Sequence, residues 1–309
     1  MISIALASRN DNHGGKLIPR IQASLDSLDH YIHTEGLDIE LLFVEWNPPP
    51  SVPSLRHVVD TKSIPTRWYI VSPEIHNTFP LSERISIFQH IGCNIGLRRA
   101  LGKWFLTTSH DCIFSQPLAS ALAKDLNKKF FYRANRRDCD AHLTTKWNTQ
   151  ARIMYMDQHF IRGRVWETGL YTGASGDFIL APRDKWNILR GYPEWAMSGQ
   201  YLDGLTLFRL QGVGLQQFVF PDPIYHMEHG ERATELYRDL PHIKWKLYKA
   251  LGEIMRDKLD PGDINGGDWG LGAPSKDEQI EDNVWKITGY SYREKVKPND
   301  LRRILTKRG

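Results

Sequence analysis

The sequence predicts an α/β fold with a mostly parallel central sheet, and two observations predict it. Apolar runs of strand length recur at residues 2–7, 39–46, 67–72 and 103–109. Between them, apolar residues repeat at helical spacing: Leu17, Ile21, Leu25, Leu28 and Ile32 in one stretch, Ile85, Phe88, Ile91 and Ile95 in another. Strands joined through helices pair in parallel through right-handed crossovers.

Each element can be justified in turn. ISIALA at 2–7 is the first strand, and the helical spacing behind it predicts a helix over 16–33. IELLFVEW at 39–46 is the second strand, stopped by Asn47 and three prolines. RWYIVS at 67–72 is the third. A helix follows on the face of Ile85, Phe88, Ile91, Ile95 and Arg99, closed by Gly102, and KWFLTTS at 103–109 is the fourth strand. Residues 136–176 are rich in Arg, Asp, Thr and aromatics and show no period. DFILAP at 177–182 then reads as a strand, 201–212 as a helix ended by Gly212, and 215–226 as one or two strands. Ile243, Leu247, Leu251 and Met255 predict an amphipathic helix over 242–257, and the basic tail 295–309 reads as a solvated terminal helix.

Composition narrows the function. With 309 residues and 41% hydrophobic content the chain can bury a large core. Forty Lys and Arg against 36 Asp and Glu leave a net charge of +4, with no long basic stripe, so no nucleic-acid partner is expected. Cys93, Cys112 and Cys139 lack paired zinc-knuckle spacings, and so sparse a set suits a reducing compartment. The N-terminus has no basic leader region, and no segment reaches membrane-spanning length. A soluble, cytoplasmic protein is expected.

The common phosphate motifs fail. SRNDNHGGKL after the first strand is not G-x-G-x-x-G. Nor is it a P-loop, because Leu17 follows Gly15-Lys16 and the upstream glycine is missing. Open α/β sheets nevertheless hold ligands beyond the carboxyl ends of their strands. Those ends carry the unusual polar residues Ser8-Arg9-Asn10, Glu45-Trp46-Asn47 and Ser109-His110-Asp111.

The order of these pieces resembles the GT-A glycosyltransferases, specifically the large inverting family numbered two and its relatives. ALASRN, FVEWNPP, CNIGLRRALGKWFLTTSHD, GASGDFILAPRDKW, YLDGLTLFRLQGVG, PIYHMEH and NGGDWGLG carry the likeness, over residues 2–272. The resemblance implies a single GT-A domain over 1–309. Residues 1–115 form its nucleotide-binding half, 116–272 its acceptor-side half and 273–309 a C-terminal extension. It makes Asp111 the last acid of a D-x-D motif that would hold Mn2+ or Mg2+ against a donor's diphosphate, with Ser109 in place of the first acid. It also places a metal-binding histidine near His226 or His229, for which a strand-end structural role is the alternative.

Glu45 is the candidate for nucleoside recognition, since a carboxylate accepts bonds from a ribose hydroxyl or base N–H. Ser8 and Arg9 stand where the family cradles base and ribose. Asn94 and Arg98 share a helical face from which Arg98 can serve the diphosphate. Asp177 falls at the floor of the sugar pocket. Alignment on Arg209 puts Asp203 on the second acid of the family's E-D motif, as catalytic base, with Leu202 replacing the first acid; an N-cap is the alternative role. Trp195, and more weakly Trp269, offer flat faces to an acceptor sugar.

The expected activity is transfer of one sugar from a UDP- or GDP-sugar to the hydroxyl of a glycan or other acceptor, with inversion and metal assistance. Without Q-x-x-R-W or membrane helices, it is expected to be non-processive. The alternatives are a catalytically inactive GT-A-like binding protein, which the altered D-x-D motif would explain, and a nucleotidyltransferase, for which SRNDNHGGK is a poor glycine-rich loop.

Overall fold

A computed structural model describes residues 1–140, 148–195, 199, 201–229, 245–258 and 264–295. Strands β1 (Ile2–Ser8), β2 (Ile39–Trp46), β3 (Thr66–Val71) and β4 (Trp104–Thr108) lie parallel in the order β3-β2-β1-β4. Strands β1, β2 and β4 are buried throughout and β3 at Trp68, Tyr69 and Val71, because helices cover both faces, which is why they read as apolar runs without alternation. Helix α1 (Leu17–Glu35) covers one face, where Ile21, Leu25 and Leu28 join Ile4 and Leu6 of β1. A short α2 (Pro73–His76) precedes α3 (Gln89–Arg99), which covers the other face with Ile91 and Ile95 against Ala5 and Ala7.

The α3 contact is unusually close. A Cβ built on Gly92 would lie 2.6 Å from the Ala7 Cβ, and one on Gly96 would lie 2.7 Å from the Ala5 Cβ. Glycines four apart share one helical face, and alanines two apart share one strand face. The pattern G-x-x-x-G against A-x-A is therefore the condition for this approach.

Beyond β4 the sheet continues through β5 (Cys112–Phe114), β6 (Phe130–Asp140), β7 (Arg162–Arg164), β8 (Phe178–Pro182) and β9 (Gln216–Glu228). Strand β8 is antiparallel to β4, β6 runs parallel to β9, β5 is antiparallel to β9, and β7 pairs with β6. On the far side β10 (Lys276–Glu281) and β11 (Val284–Thr288) extend the sheet, β11 in parallel with β3. The described residues thus form an eleven-stranded mixed sheet, parallel from β11 through β4, antiparallel at β10–β11, β4–β8, β8–β6 and β9–β5, and parallel again at β6–β9.

Several expectations change in detail. The fourth strand is Trp104–Thr108, and Ile85 and Phe88 are buried ahead of α3 instead of inside it. Residues 215–226 resolve into one strand, β9, whose register with β6 shifts between Ala134 and Asn135, where the partner jumps from Phe220 to Pro223. Residues 136–176 contain the end of β6, the helix Thr149–Gln158 and β7. The 273–309 extension contributes two strands. The helix expected over 242–257 is Trp245–Asp257, with Leu251 and Met255 buried; Ile243, the Leu247 side chain and the tail 296–309 lie outside the described residues. Among the described residues no helix is long and apolar enough to cross a membrane.

Replacing Gly96 with Ala gains ~1 kcal/mol of helix propensity. Overpacking against Ala5 opposes it by roughly 1–3 kcal/mol. Gly96→Ala is therefore expected to lower stability despite the better helix former, measured as a reduced midpoint in urea unfolding.

Candidate active site

The site is assembled by strand register. Because β8 runs against β4 with Thr108 opposite Phe178, the Ser175–Asp177 turn lies over the carboxyl end of β4, and Thr108 Oγ1 donates to the Asp177 carbonyl at 2.8 Å. Because β5 runs against β9 with Cys112 opposite His226, Asp111 meets the end of β9; the Met227 N–H donates to the Asp111 carbonyl at 3.0 Å. Because β6 is parallel to β9 with Asp138 opposite His226, Asp138 joins them.

Asp111 is 3% exposed. Its Oδ2 accepts from Arg20 Nη1 at 2.9 Å and faces His229 Nε2 at 3.4 Å and His226 Nε2 at 3.7 Å. The ligating atoms of Asp111, His226 and His229 all lie within 4.8 Å of one another. Asp111 Oδ1 and His229 Nδ1 are enclosed and have no hydrogen-bond partner among the described residues. An orphaned carboxylate oxygen beside two converging imidazoles fits a divalent cation, and the nitrogen share favours Mn2+ over Mg2+. Burial alone would raise the pKa of Asp111, but the charge of His226 and the bond from His229 hold it well below the usual carboxylate range. Burial would lower that of His226, yet the Asp111 charge and the bond to Asp138 raise it. His110, in the middle of the motif, is pushed down to about 4 by burial.

A guanidinium joins this group to the rest of the edge. Arg136 pairs through Nη1 with Asp177 Oδ2 and donates from Nε to Asp138 Oδ1 at 2.6 Å. His226 Nδ1 lies 2.9 Å from Arg136 Nη2 and 3.2 Å from Asp138 Oδ1. We place the Nδ1 proton toward Asp138, because a carboxylate accepts it and a guanidinium does not, and this leaves Nε2 facing Asp111. Asp138, His226 and Glu228 form a second group of metal-ligating type, but Arg162 pairs with both of its carboxylates, at 2.6 Å for Glu228. The turn itself is held by fully buried Arg133, which donates to the carbonyls of Tyr171, Gly173, Ser175 and Phe178.

Asp203 lies in the first turn of the helix Leu202–Gly212, whose N-cap is Tyr201, so the N-cap role is not its own. Its Oδ2 accepts from Ser175 Oγ at 2.7 Å. Ser175, Asp177, Arg136 and His226 therefore link Asp203 to Asp111 along a single edge of the sheet.

The remaining expected residues divide. Ser8 ends β1 in register with Glu45 of β2, and Arg9 ties the two mouths together through Asn47 O at 2.7 Å and Asp11 Oδ2 at 3.1 Å. Glu45 differs from expectation: it is 0% exposed, its carboxylate accepting from Ser54 Oγ and, at 2.8 Å, from the Leu55 N–H. In that conformation the carboxylate braces the turn after β2. Asn94 and Arg98 are not brought to the site. Asn94 is buried, bonded to Tyr192 and Glu194, and Arg98 donates to the Gly267 and Trp269 carbonyls, each at 3.0 Å. Trp269 lies under Arg98, and Trp195 packs with Leu202, Leu205, Tyr248, Leu251 and Met255, which makes both predominantly packing residues.

Sequence reasoning missed Arg20, Arg133, Arg136 and Asp138. Arg20 was detectable as a charge three residues after Leu17, within the buried stripe of α1. The others sit in a strand that their own charges concealed.

No family model matches the sequence, and no curated protein does. Solved structures similar to the chain include a mannosyltransferase from Pyrobaculum calidifontis in complex with GDP-Man and Mn2+, at 14% identity and a TM-score of 0.48, covering 82% of this chain and 62% of that one. The catalytic domain of Drosophila β1,4-galactosyltransferase 7, in complex with xylobiose, is similar at 10% identity and a TM-score of 0.48, covering 96% of both chains. S. aureus TarS 1-349 in complex with UDP-GlcNAc is similar at 11% identity and a TM-score of 0.50, covering 76% of this chain and 60% of that one. The chain thus spans less than two thirds of the first and third of these proteins. At such identities the likeness concerns architecture, and the architecture is plain: the chain has the GT-A fold.

Proposed function

We propose that the protein is a glycosyltransferase that moves one sugar from a nucleotide-sugar donor to an acceptor hydroxyl in a single, inverting, non-processive displacement. The observation that carries this reading is the linked edge. A carboxylate held by a hydroxyl, Asp203 on Ser175, stands on the same turn-and-guanidinium chain as the Asp111–His226–His229 group. Proton acceptance from an attacking hydroxyl and stabilisation of a departing diphosphate must both occur around one sugar, and this edge supplies a group for each. Solved structures of similar fold bind GDP-Man or UDP-GlcNAc, which supports a UDP- or GDP-sugar as donor and a glycan or other hydroxyl compound as acceptor.

Asp203 takes the acceptor proton, and the Ser175 hydroxyl fixes its carboxylate. Asp177, tethered to Arg136, holds sugar hydroxyls, and Ser8 with Arg9 lines the nucleoside end. Asp111, His226 and His229 would hold the divalent ion, which when bound offsets the charge growing on the leaving diphosphate.

Incubation with a panel of sugar nucleotides, Mn2+ and candidate acceptors is expected to release nucleoside diphosphate, and Asp203→Asn to slow that release by about 10²- to 10⁴-fold while nucleotide affinity holds. Unchanged turnover in Asp203→Asn removes it as base. Nucleotide binding without turnover for any donor makes the chain a binding protein, and pyrophosphate release makes it a nucleotidyltransferase.

Metal binding has a definite pH dependence. A histidine ligates only when neutral, and His226 titrates above its ordinary value in the metal-free protein. Mn2+ affinity is therefore expected to fall as pH drops through that raised pKa, starting above pH ~6.5, the ordinary histidine value. Calorimetric titration across pH 6 to 8 (about the physiological histidine range) checks it, and His226→Ala should flatten the profile.

A further inference from the structure

We propose that Arg20 keeps the Asp111–His226–His229 group from holding a divalent cation tightly until a nucleoside diphosphate supplies the missing negative charge, an inference that rests on the functional reading above. The Asp111 oxygen that His226 and His229 face is Oδ2, and that same oxygen accepts the Arg20 N–H at 2.9 Å. A cation seated among the three side chains must share Oδ2 with a guanidinium or turn to Oδ1.

The guanidinium can neither leave easily nor lose its charge. Arg20 is wholly enclosed, its Nη2 donating to the His13 carbonyl and its Nε to the Gly15 carbonyl at 3.3 Å. A guanidinium does not deprotonate in proteins, and a buried charge is screened little by salt. Within the described group the paired formal charges therefore cancel, Asp111 against Arg20, while the imidazoles are neutral when they ligate. Ser109 stands where a D-x-D motif has its first carboxylate. Among the described residues, Asp138, Asp177 and Glu228, the other acids of this edge that face a guanidinium, are each paired to Arg136 or Arg162.

Like charges a few ångströms apart repel strongly in such a setting, enough to change affinity by at least about tenfold even at a high effective dielectric constant. A diphosphate reverses the sign of the local charge and contributes hard oxygen ligands, so cation and nucleotide bind with positive, reciprocal coupling. Arg20 does not touch the reacting atoms. It is a positioning residue that fixes Asp111 and sets the charge of the site.

The test is Mn2+ titration of the full chain by calorimetry and by the paramagnetic signal of free Mn2+, on wild type, Arg20→Gln and Arg20→Lys, each with and without UDP or GDP. Wild type is expected to bind Mn2+ at least about tenfold more tightly with nucleotide than without. Arg20→Gln should bind Mn2+ alone at least about tenfold more tightly than wild type and lose most of the coupling. Arg20→Lys, which keeps the charge, should stay weak without nucleotide. Equal wild-type affinity with and without a bound nucleotide overturns the proposal, as does a folded Arg20→Gln whose nucleotide-free affinity is unchanged or weaker. If Arg20→Gln does not fold, wild-type coupling and the Arg20→Lys result decide. Failure of UDP and GDP to bind any form sinks the functional reading instead, and the nucleotide-free comparison still decides the part played by Arg20.

Discussion

The edge of this sheet is organised by one constraint: Asp111 is a carboxylate removed from water, and it stays ionised only if other groups supply what water no longer does. Its partners come from distant parts of the chain, Arg20 from α1 and two histidines from the end of β9. Bringing them together dictates how the elements pack. Helix α1 lies along the edge of β5 left open by β9, and its buried polar residues satisfy that edge. Ser24 Oγ donates to the Cys112 carbonyl at 2.8 Å and the Tyr31 hydroxyl to the Phe114 carbonyl at 2.7 Å. An exposed strand edge is thereby covered, and the same packing delivers Arg20 to Asp111.

On the opposite face of the sheet, the residues expected at a donor's diphosphate turn out to govern position. Asn94 on α3 and the Gly270 N–H both bond the buried Glu194 carboxylate, at 2.9 and 2.8 Å, and Lys295 Nζ approaches it at 3.5 Å. Burial raises the pKa of Glu194, but these donors give the charged form partners. Glu194 belongs to the segment that leads into the helix carrying Asp203. The glycine-to-alanine contact of α3 with β1 therefore also sets the position of Asn94 and, through it, of Glu194.

The first half of the fold was legible because its strands are buried on both faces and its helices have one apolar stripe each, patterns that survive without tertiary information. Asp111 was legible as a polar residue at the end of an apolar run, whereas His226 and His229 became so with the help of the family resemblance and Asp203 by alignment on Arg209. Strand β6 was not legible, since Arg133, Arg136 and Asp138 interrupt any alternation; Arg136 and Asp138 pair with each other, and the three also take carbonyl, carboxylate, imidazole and guanidinium partners from elsewhere in the chain. Strand β10 is exposed at every residue and has no apolar signal to read. Glu45, Asn94 and Arg98 were misread for a related reason: a polar residue beside a ligand edge and one bracing a turn or loop look alike until their partners are visible.

Those partners also divide the carboxylates of the edge by the work they can do. Asp111, Asp138, Asp177 and Glu228 each face a guanidinium, which holds their lone pairs. Such acids suit orientation, metal ligation or the grip of sugar hydroxyls. Asp203 is joined to the same chain through a neutral hydroxyl, that of Ser175, and among the described residues no cation pairs with it. A group that must accept a proton during transfer needs an orienting partner more than a charged one. The Ser175–Asp177 turn separates the two kinds of acid, with Asp203 on its serine and Arg136 on its aspartate. Arg133, by tying down the carbonyls of that turn, fixes the spacing between the candidate base and the charged group beside it.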